Sequence, residues 1–176
     1  MGTKDALELE TRRRIFARIS SVPGMYFREI QRDVGLEVGE AEYHLAYMEK
    51  AGLVSVQIDA NRKRYYAKGT VDEHDRRLLA LLRQEVPRRI VMEVLLSGKL
   101  SFREIQERVR KAKSTLSFHL SKLSEAGFLL VERSGKENVY RAGDEERTAR
   151  CLITYKTTFL DEAVDRFADA WLELRP

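Results

Sequence analysis

Side chains suited to binding a polyanion crowd one stretch of this sequence. Arg108, Arg110, Lys111 and Lys113 lead into the run Ser114-Thr115-Leu116-Ser117-Phe118-His119-Leu120-Ser121-Lys122-Leu123. Lysine and arginine neutralise phosphates or bond guanine, serine and threonine hydroxyls reach base edges or phosphates, and an outward phenylalanine suits a thymine methyl. Arg103 and Lys136 extend the set on either side, and a second basic run, Arg62-Lys63-Arg64, lies upstream. The matching upstream helix stretch is acidic and aromatic instead, with Glu37, Glu40, Glu42, Tyr43, Tyr47 and Glu49, of which Tyr43 is also a candidate DNA contact. Carboxylates oppose a binding mode that works by releasing counterions from phosphates.

Residue types for catalysis or metal binding lack the necessary company. His44 and His119 stand beside leucines with no Cys, His or Asp at ligand spacing, and His74 lies apart. They read as residues that orient a helix, bond backbone or touch phosphate. The single cysteine, Cys151, excludes an intrachain disulfide and a multi-thiolate metal site, in keeping with a reducing compartment. There is no glycine-rich phosphate loop, no helical pair of metal-binding histidines and no nucleophile elbow. The expectation is a protein that is not an enzyme, with no catalytic residues, no metal and no cofactor.

The elements that position these residues come in two copies. Shifting the sequence by 75 residues lays Phe27-Arg28-Glu29-Ile30-Gln31 on Phe102-Arg103-Glu104-Ile105-Gln106, and the same frame aligns His44-Leu45 with His119-Leu120 and Ala51-Gly52 with Ala126-Gly127. In the first copy, Ile15 and Ile19, then Phe27, Ile30 and Val34, recur at helical spacing on either side of Val22-Pro23-Gly24. A third helix carries Ala41, Leu45 and Met48 and ends at Gly52. Val54 to Ile58 alternates like a strand, Asp59 to Lys63 forms a polar tip, and Arg64 to Ala67 returns. The second copy repeats the order, with a hairpin from Leu129 to Ala142 turning at Ser134-Gly135-Lys136. Three helices and a hairpin make a winged helix. With Leu116, Leu120 and Leu123 turned inward, about 100° of rotation per residue aims Ser114, Phe118 and Ser121 outward and sets Lys111, Thr115, Ser117 and Lys122 on the shoulders.

The run from Ser114 to Leu123, closing on Glu125-Ala126-Gly127-Phe128, resembles the recognition helix of ArsR-like winged helix-turn-helix regulators. Gly39-Glu40-Ala41-Glu42-Tyr43-His44-Leu45, followed by Met48-Glu49-Lys50-Ala51-Gly52-Leu53-Val54, is similar to the form found in archaeal regulators, including those with two such domains in tandem. The likeness spans about residues 12–143. It implies binding of double-stranded DNA for transcriptional regulation, without the family's thiolate metal switch, which has no counterpart here. Winged helices also dock proteins. The alternative is therefore an interaction module resembling the tandem winged-helix subunits of chromosome-condensing complexes, with the first copy's helix face meeting a protein partner through Tyr43 and Tyr47.

These readings divide the chain into a first winged helix at 1–71, a linker helix at 72–86, a second winged helix at 87–143 and a long C-terminal helix at 144–176. The fold class is mainly α with small β-hairpins. Charge follows the same division: residues 1–70 hold 12 Lys+Arg against 10 Asp+Glu, residues 71–143 hold 15 against 10, and residues 144–176 hold 5 against 8, so the second copy is the basic one. It is expected to dock its helix in the major groove, while basic wings lie on the backbone. Along the C-terminal segment, Leu152, Tyr155, Phe159, Ala163, Phe167, Trp171 and Leu174 follow spacings of three and four. Such a stripe suggests a homodimer surface reading two-fold sites. No stretch approaches the roughly 20 apolar residues that span a bilayer, and Met1 to Arg14 is polar, which points to the cytoplasm.

Overall fold

Strand register carries the 75-residue repeat into three dimensions. In the computed structural model, which describes residues 9–59 and 61–174, the chain divides into two units between Arg76 and Arg77. The first unit runs α1 (Glu10–Ser21), β1 (Met25–Tyr26), α2 (Phe27–Val34), α3 (Val38–Lys50), β2 (Val54–Asp59) and β3 (Arg62–Ala67). Its sheet has the order β1-β3-β2, with Tyr65 paired to Met25 on one side and to Val56 on the other. The second unit places Tyr140 between Leu100 and Val131 in the same antiparallel arrangement. Each of these partners lies 75 residues beyond its counterpart.

The residues with helical spacing in the first unit are its core. Ile15, Ile19, Ile30, Val34, Ala41, Leu45 and Met48 are buried together with Val54, Tyr65 and Ala67 from the sheet. Local chemistry fixes where the helices begin and end. The Glu29 carboxylate accepts the Tyr26 N–H at 2.7 Å at the start of α2. After α3, Gly52 at φ 71° lets the Leu53 N–H return to the Met48 carbonyl at 2.9 Å, a closure that a side chain at that angle would strain. The expected strands lengthen at the wing tip, and a strand not foreseen from sequence, β1, joins the hairpin.

The linker helix α4 (Glu73–Leu82) is followed by α5 (Glu85–Ser97), β4 (Lys99–Ser101), α6 (Phe102–Val109), α7 (Lys113–Glu125), β5 (Leu129–Ser134) and β6 (Glu137–Ala142). At the start of α6, the Ser101 hydroxyl accepts from the Glu104 N–H at 3.3 Å while Glu104 accepts the Ser101 N–H at 2.7 Å, a reciprocal cap. The Ser101 N–H, and then the Ser101 side chain, bond the Glu104 carboxylate and hold it below its ordinary range.

The C-terminal segment departs from the expected single helix. It forms α8 (Glu145–Thr154), one 3-10 turn at Lys156–Thr158, and α9 (Glu162–Leu174). The break falls where Leu160 takes φ 48° and the Asp161 carboxylate accepts the Ala163 N–H at 3.0 Å, starting a new helix. Leu152, Phe159, Phe167 and Trp171 are buried, with the last two rings stacked 5.9 Å apart, and Tyr155 is half-buried. The stripe's buried members thus close the core of their own unit, while Leu174 at its end is exposed. Arg88 on α5 clamps the segment: its Nε and Nη2 donate to Asp161 Oδ2 at 2.9 and 2.6 Å, and its Nη1 donates to the Leu82 carbonyl at 2.8 Å. Burial works to raise the Asp161 pKa, but the bonds from Arg88 and Ala163 outweigh it and leave the carboxyl below its usual range.

Candidate nucleic-acid interface

Helix α7 has the split surface expected from its sequence. Leu116, Leu120 and Leu123 are fully or almost fully buried, whereas Lys113, Ser114, Ser117, Phe118, Ser121 and Lys122 are exposed and Thr115 is half-buried. The connection from α6 turns at Arg110, a non-glycine residue at φ 55° whose N–H reaches the Gln106 carbonyl at 2.9 Å. Two of the outward side chains are engaged with neighbours. Lys122 Nζ sits 4.5 Å from the Phe118 ring centroid, and the Ser121 hydroxyl donates to Glu125 at 2.8 Å. His119 lies between the faces, edge-on to Phe118, with its Nδ1 buried and lacking a hydrogen-bond partner among the described residues. Burial, then the charge of Lys122, lowers its pKa.

Between α7 and the second wing lies a groove of about 740 Å³. Arg103, Lys113, Arg133 and Lys136 line it with Ser117, Ser121 and Ser124, against one carboxylate, Glu137. Arg133 was not among the residues singled out from sequence; its signal was its place on a wing strand facing the helix. The cations differ in how committed they are. Lys113, Lys136 and Arg110 make no ion pair among the described residues, whereas Arg103 meets Glu107 at 3.1 Å, Lys111 meets Glu85 at 3.4 Å, and Arg108 meets Glu93 at 3.3 Å. Exposed pairs of this kind hold weakly and exchange readily for a phosphate.

The first unit has the same geometry with different chemistry. Glu40, Glu42, Tyr43 and Glu49 are exposed on α3, Tyr43 at 61%. Of the three wing cations, Arg62 and Lys63 are exposed, but Arg64 is buried. Its Nε donates to Asp59 at 2.8 Å and its Nη1 to the Gly24 carbonyl at 3.0 Å, while the guanidinium stacks 4.2 Å from the Tyr26 ring centre. Arg64 therefore braces the wing and is not available to a phosphate. It sits on β3, the central strand, which is covered on both faces from this position onward. His44 has a structural place: its Nδ1 accepts from buried Arg12 at 3.4 Å, and Arg12 stacks 3.6 Å from the Tyr47 ring centre. Among the described residues no group of three His, Cys, Asp or Glu side chains could hold a metal ion. No helix among them is long and apolar enough to cross a membrane.

Comparison with known proteins agrees with this two-part organisation. Residues 9–79 match a family described as an N-terminal HTH domain, and residues 87–130 match the bacterial regulatory proteins of the arsR family. Over 131 residues, 74% of this chain, the sequence is 29% identical to an uncharacterised HTH-type transcriptional regulator of the archaeon Methanocaldococcus jannaschii; the match spans 33% of that relative's length. A solved structure of reduced HlyU from Vibrio cholerae overlays on 48% of the chain and 87% of its own, with a TM-score of 0.42 and 23% identity. The second of these families is one of regulatory proteins. In two tandem parts, then, this chain is similar to helix-turn-helix proteins: the first part to an N-terminal HTH domain and the second to regulatory proteins of the arsR family.

Proposed function

We propose that this chain binds double-stranded DNA in a sequence-dependent way, with α7 in the major groove and the second wing on the adjacent backbone. The observation that carries the reading is the groove between α7 and the wing, where four cations and three serines face one carboxylate. Ser114, Thr115 and Ser117 lie near the start of α7, where hydroxyls can approach base edges, and Lys113, Arg110 and Lys136 stand around them as phosphate contacts. Phe118, held under the Lys122 ammonium, presents an apolar surface to a thymine methyl. The acidic face of α3 does not suit the same role. The first domain's contribution to the backbone is limited to Arg62 and Lys63.

Selection from a pool of random duplexes, followed by sequencing of what is retained, tests the proposal. An enriched motif that is lost in the triple variant Ser114→Ala, Thr115→Ala, Ser117→Ala supports it. Retention without any enriched motif would leave only non-specific binding and refute base reading by α7. A second reading, docking of a protein on α3, has one observation in its favour, the exposure of Tyr43 on a carboxylate-rich face. It predicts retention of a polypeptide that competes with no DNA.

A further inference from the structure

The helix–wing groove of the first domain is larger than that of the second, about 940 Å³, and its chemistry is inverted. At the 75-residue offset, Ser117 and Ser124 of the second groove correspond to Glu42 and Glu49, Lys113 to Val38 and Arg133 to Ile58. Glu42 and Glu49, seven residues apart on α3, form one wall, and Arg62 and Lys63 on β3 form another. The opposite charges do not neutralise one another. Among the described residues Glu42, Glu49 and Lys63 have no ion-pair partner, and Arg62 contacts only the Tyr26 ring, 5.5 Å away. Between the walls the lining is aromatic and aliphatic, from Tyr26, Phe27, Tyr65, Leu45 and Ala46, and Arg28 and Glu29 at the start of α2 also line the groove. Tyr65 is buried, at 6% exposed, yet it lines the groove, and its side chain makes no hydrogen bond among the described residues. Burial, then the charges of Glu49 and Glu42, raise its pKa.

Mostly apolar clefts of this size with a few convergent polar groups are the usual form of small-molecule sites. A DNA backbone would be repelled by the α3 wall, and a simple cation by the β3 wall. We propose that this groove binds a small zwitterion of the α-amino-acid class with an aromatic side chain. Its ammonium lies against Glu42 and Glu49, its carboxylate against Arg62 and Lys63, and its ring against Tyr26, Phe27 and Tyr65. Each charged end then makes the charge-assisted hydrogen bonds that the walls leave unmade. The inference concerns the first domain alone and does not depend on DNA binding by the second.

The test uses the full chain, ¹⁵N-labelled and free of DNA, titrated with three probes of one shape: L-phenylalanine, phenethylammonium and 3-phenylpropionate. Phenylalanine is expected to shift amides of residues 42–49 and 62–65, and to bind about tenfold more tightly than either singly charged probe, a factor corresponding to one good charged contact. Glu42→Gln with Glu49→Gln should reduce phenylalanine to the affinity of phenylpropionate, and Arg62→Gln with Lys63→Gln to that of phenethylammonium. All four side chains are exposed, so these variants retain the fold, which their spectra report directly. No shift with phenylalanine up to about 10 mM, equal binding of all three probes, or shifts confined to other residues would overturn the proposal.

Discussion

Replacing Lys113 and Lys136 together with alanine isolates the electrostatic part of the proposed DNA contact. Both are exposed, both line the α7–wing groove, and neither makes an ion pair among the described residues. Their loss therefore removes phosphate contacts without unpairing a carboxylate. With Arg110 and Arg133 they make four cations able to neutralise phosphates. Each contact contributes about −0.9 to the slope of log affinity against log salt, so these four account for about −3.6 of the slope in the intact chain and about −1.8 in the double variant, a flattening of about 1.8 whatever Arg62 and Lys63 add. Between about 50 and 200 mM salt, their share of the fall in affinity should be about 150-fold for the intact chain and about 12-fold for the variant. Fluorescence anisotropy with a labelled random-sequence duplex, titrated at four salt concentrations, reads both slopes. A slope unchanged by the double substitution would show that the groove does not hold the backbone, and the assignment of α7 and its wing to DNA would fail with it.

Other consequences concern stability and the division between domains. Glu40→Ala and Glu42→Ala should leave non-specific DNA binding unchanged or tighten it; a clear loss in the same anisotropy assay would show that α3 docks on DNA after all. Asp161→Ala strips buried Arg88 of its partner and should cost about 3 kcal/mol, the lower end for a broken buried pair because the carboxylate is partly exposed. Urea unfolding measures it, and a loss below about 0.5 kcal/mol would show that the clamp is ornamental. The same contacts imply that removing residues 144–176 exposes the faces that Leu152, Val164, Phe167 and Trp171 cover, so the truncated second domain should unfold at lower urea, not fold unchanged. His119 has its native pKa below the ordinary 6.5. As pH falls through that value the unfolded chain takes up a proton the native one does not, so stability drops on acidification. His119→Gln should flatten the urea midpoint between about pH 7.5 and 5.5, and an equally steep drop in the variant would assign the effect elsewhere.

Period and punctuation made most of the architecture legible, because the buried residues are those with helical spacing and the turns fall at Gly52, Gly127 and Gly135. Strands β1 and β4 were not legible, since two or three residues cannot display an alternation. The C-terminal break was hidden for a different reason. Tyr155, Phe159 and Ala163 keep the helical interval straight across it, and only the capping carboxylate of Asp161, followed by Glu162, marks a new start. Among the site residues, the exposed set on α7 follows from the positions of its three leucines. The fate of Arg64 does not, because whether a wing cation faces solvent or folds back depends on Asp59, Gly24 and Tyr26, which lie on the tip, a loop and another strand. Arg133 was missed on the same grounds: it joins the groove by pairing geometry and not by sequence neighbours.

The Arg64 brace also sets a difference in motion between the two wings. In the first domain one guanidinium ties the central strand to the wing tip through Asp59 and to the loop before β1 through Gly24. The second domain has Val139 at that position, and β5 is exposed along its length beyond Leu129. Opening the first wing therefore means breaking a buried network, whereas the second can fray from Gly135-Lys136 inward with little loss of packing. Amide hydrogens of β5 and β6 should exchange with solvent well before those of β2 and β3. The wing that carries Lys136 is accordingly the pliant one, a ribbon able to adjust to the path of a backbone, while the first is a fixed rail along the side of its groove.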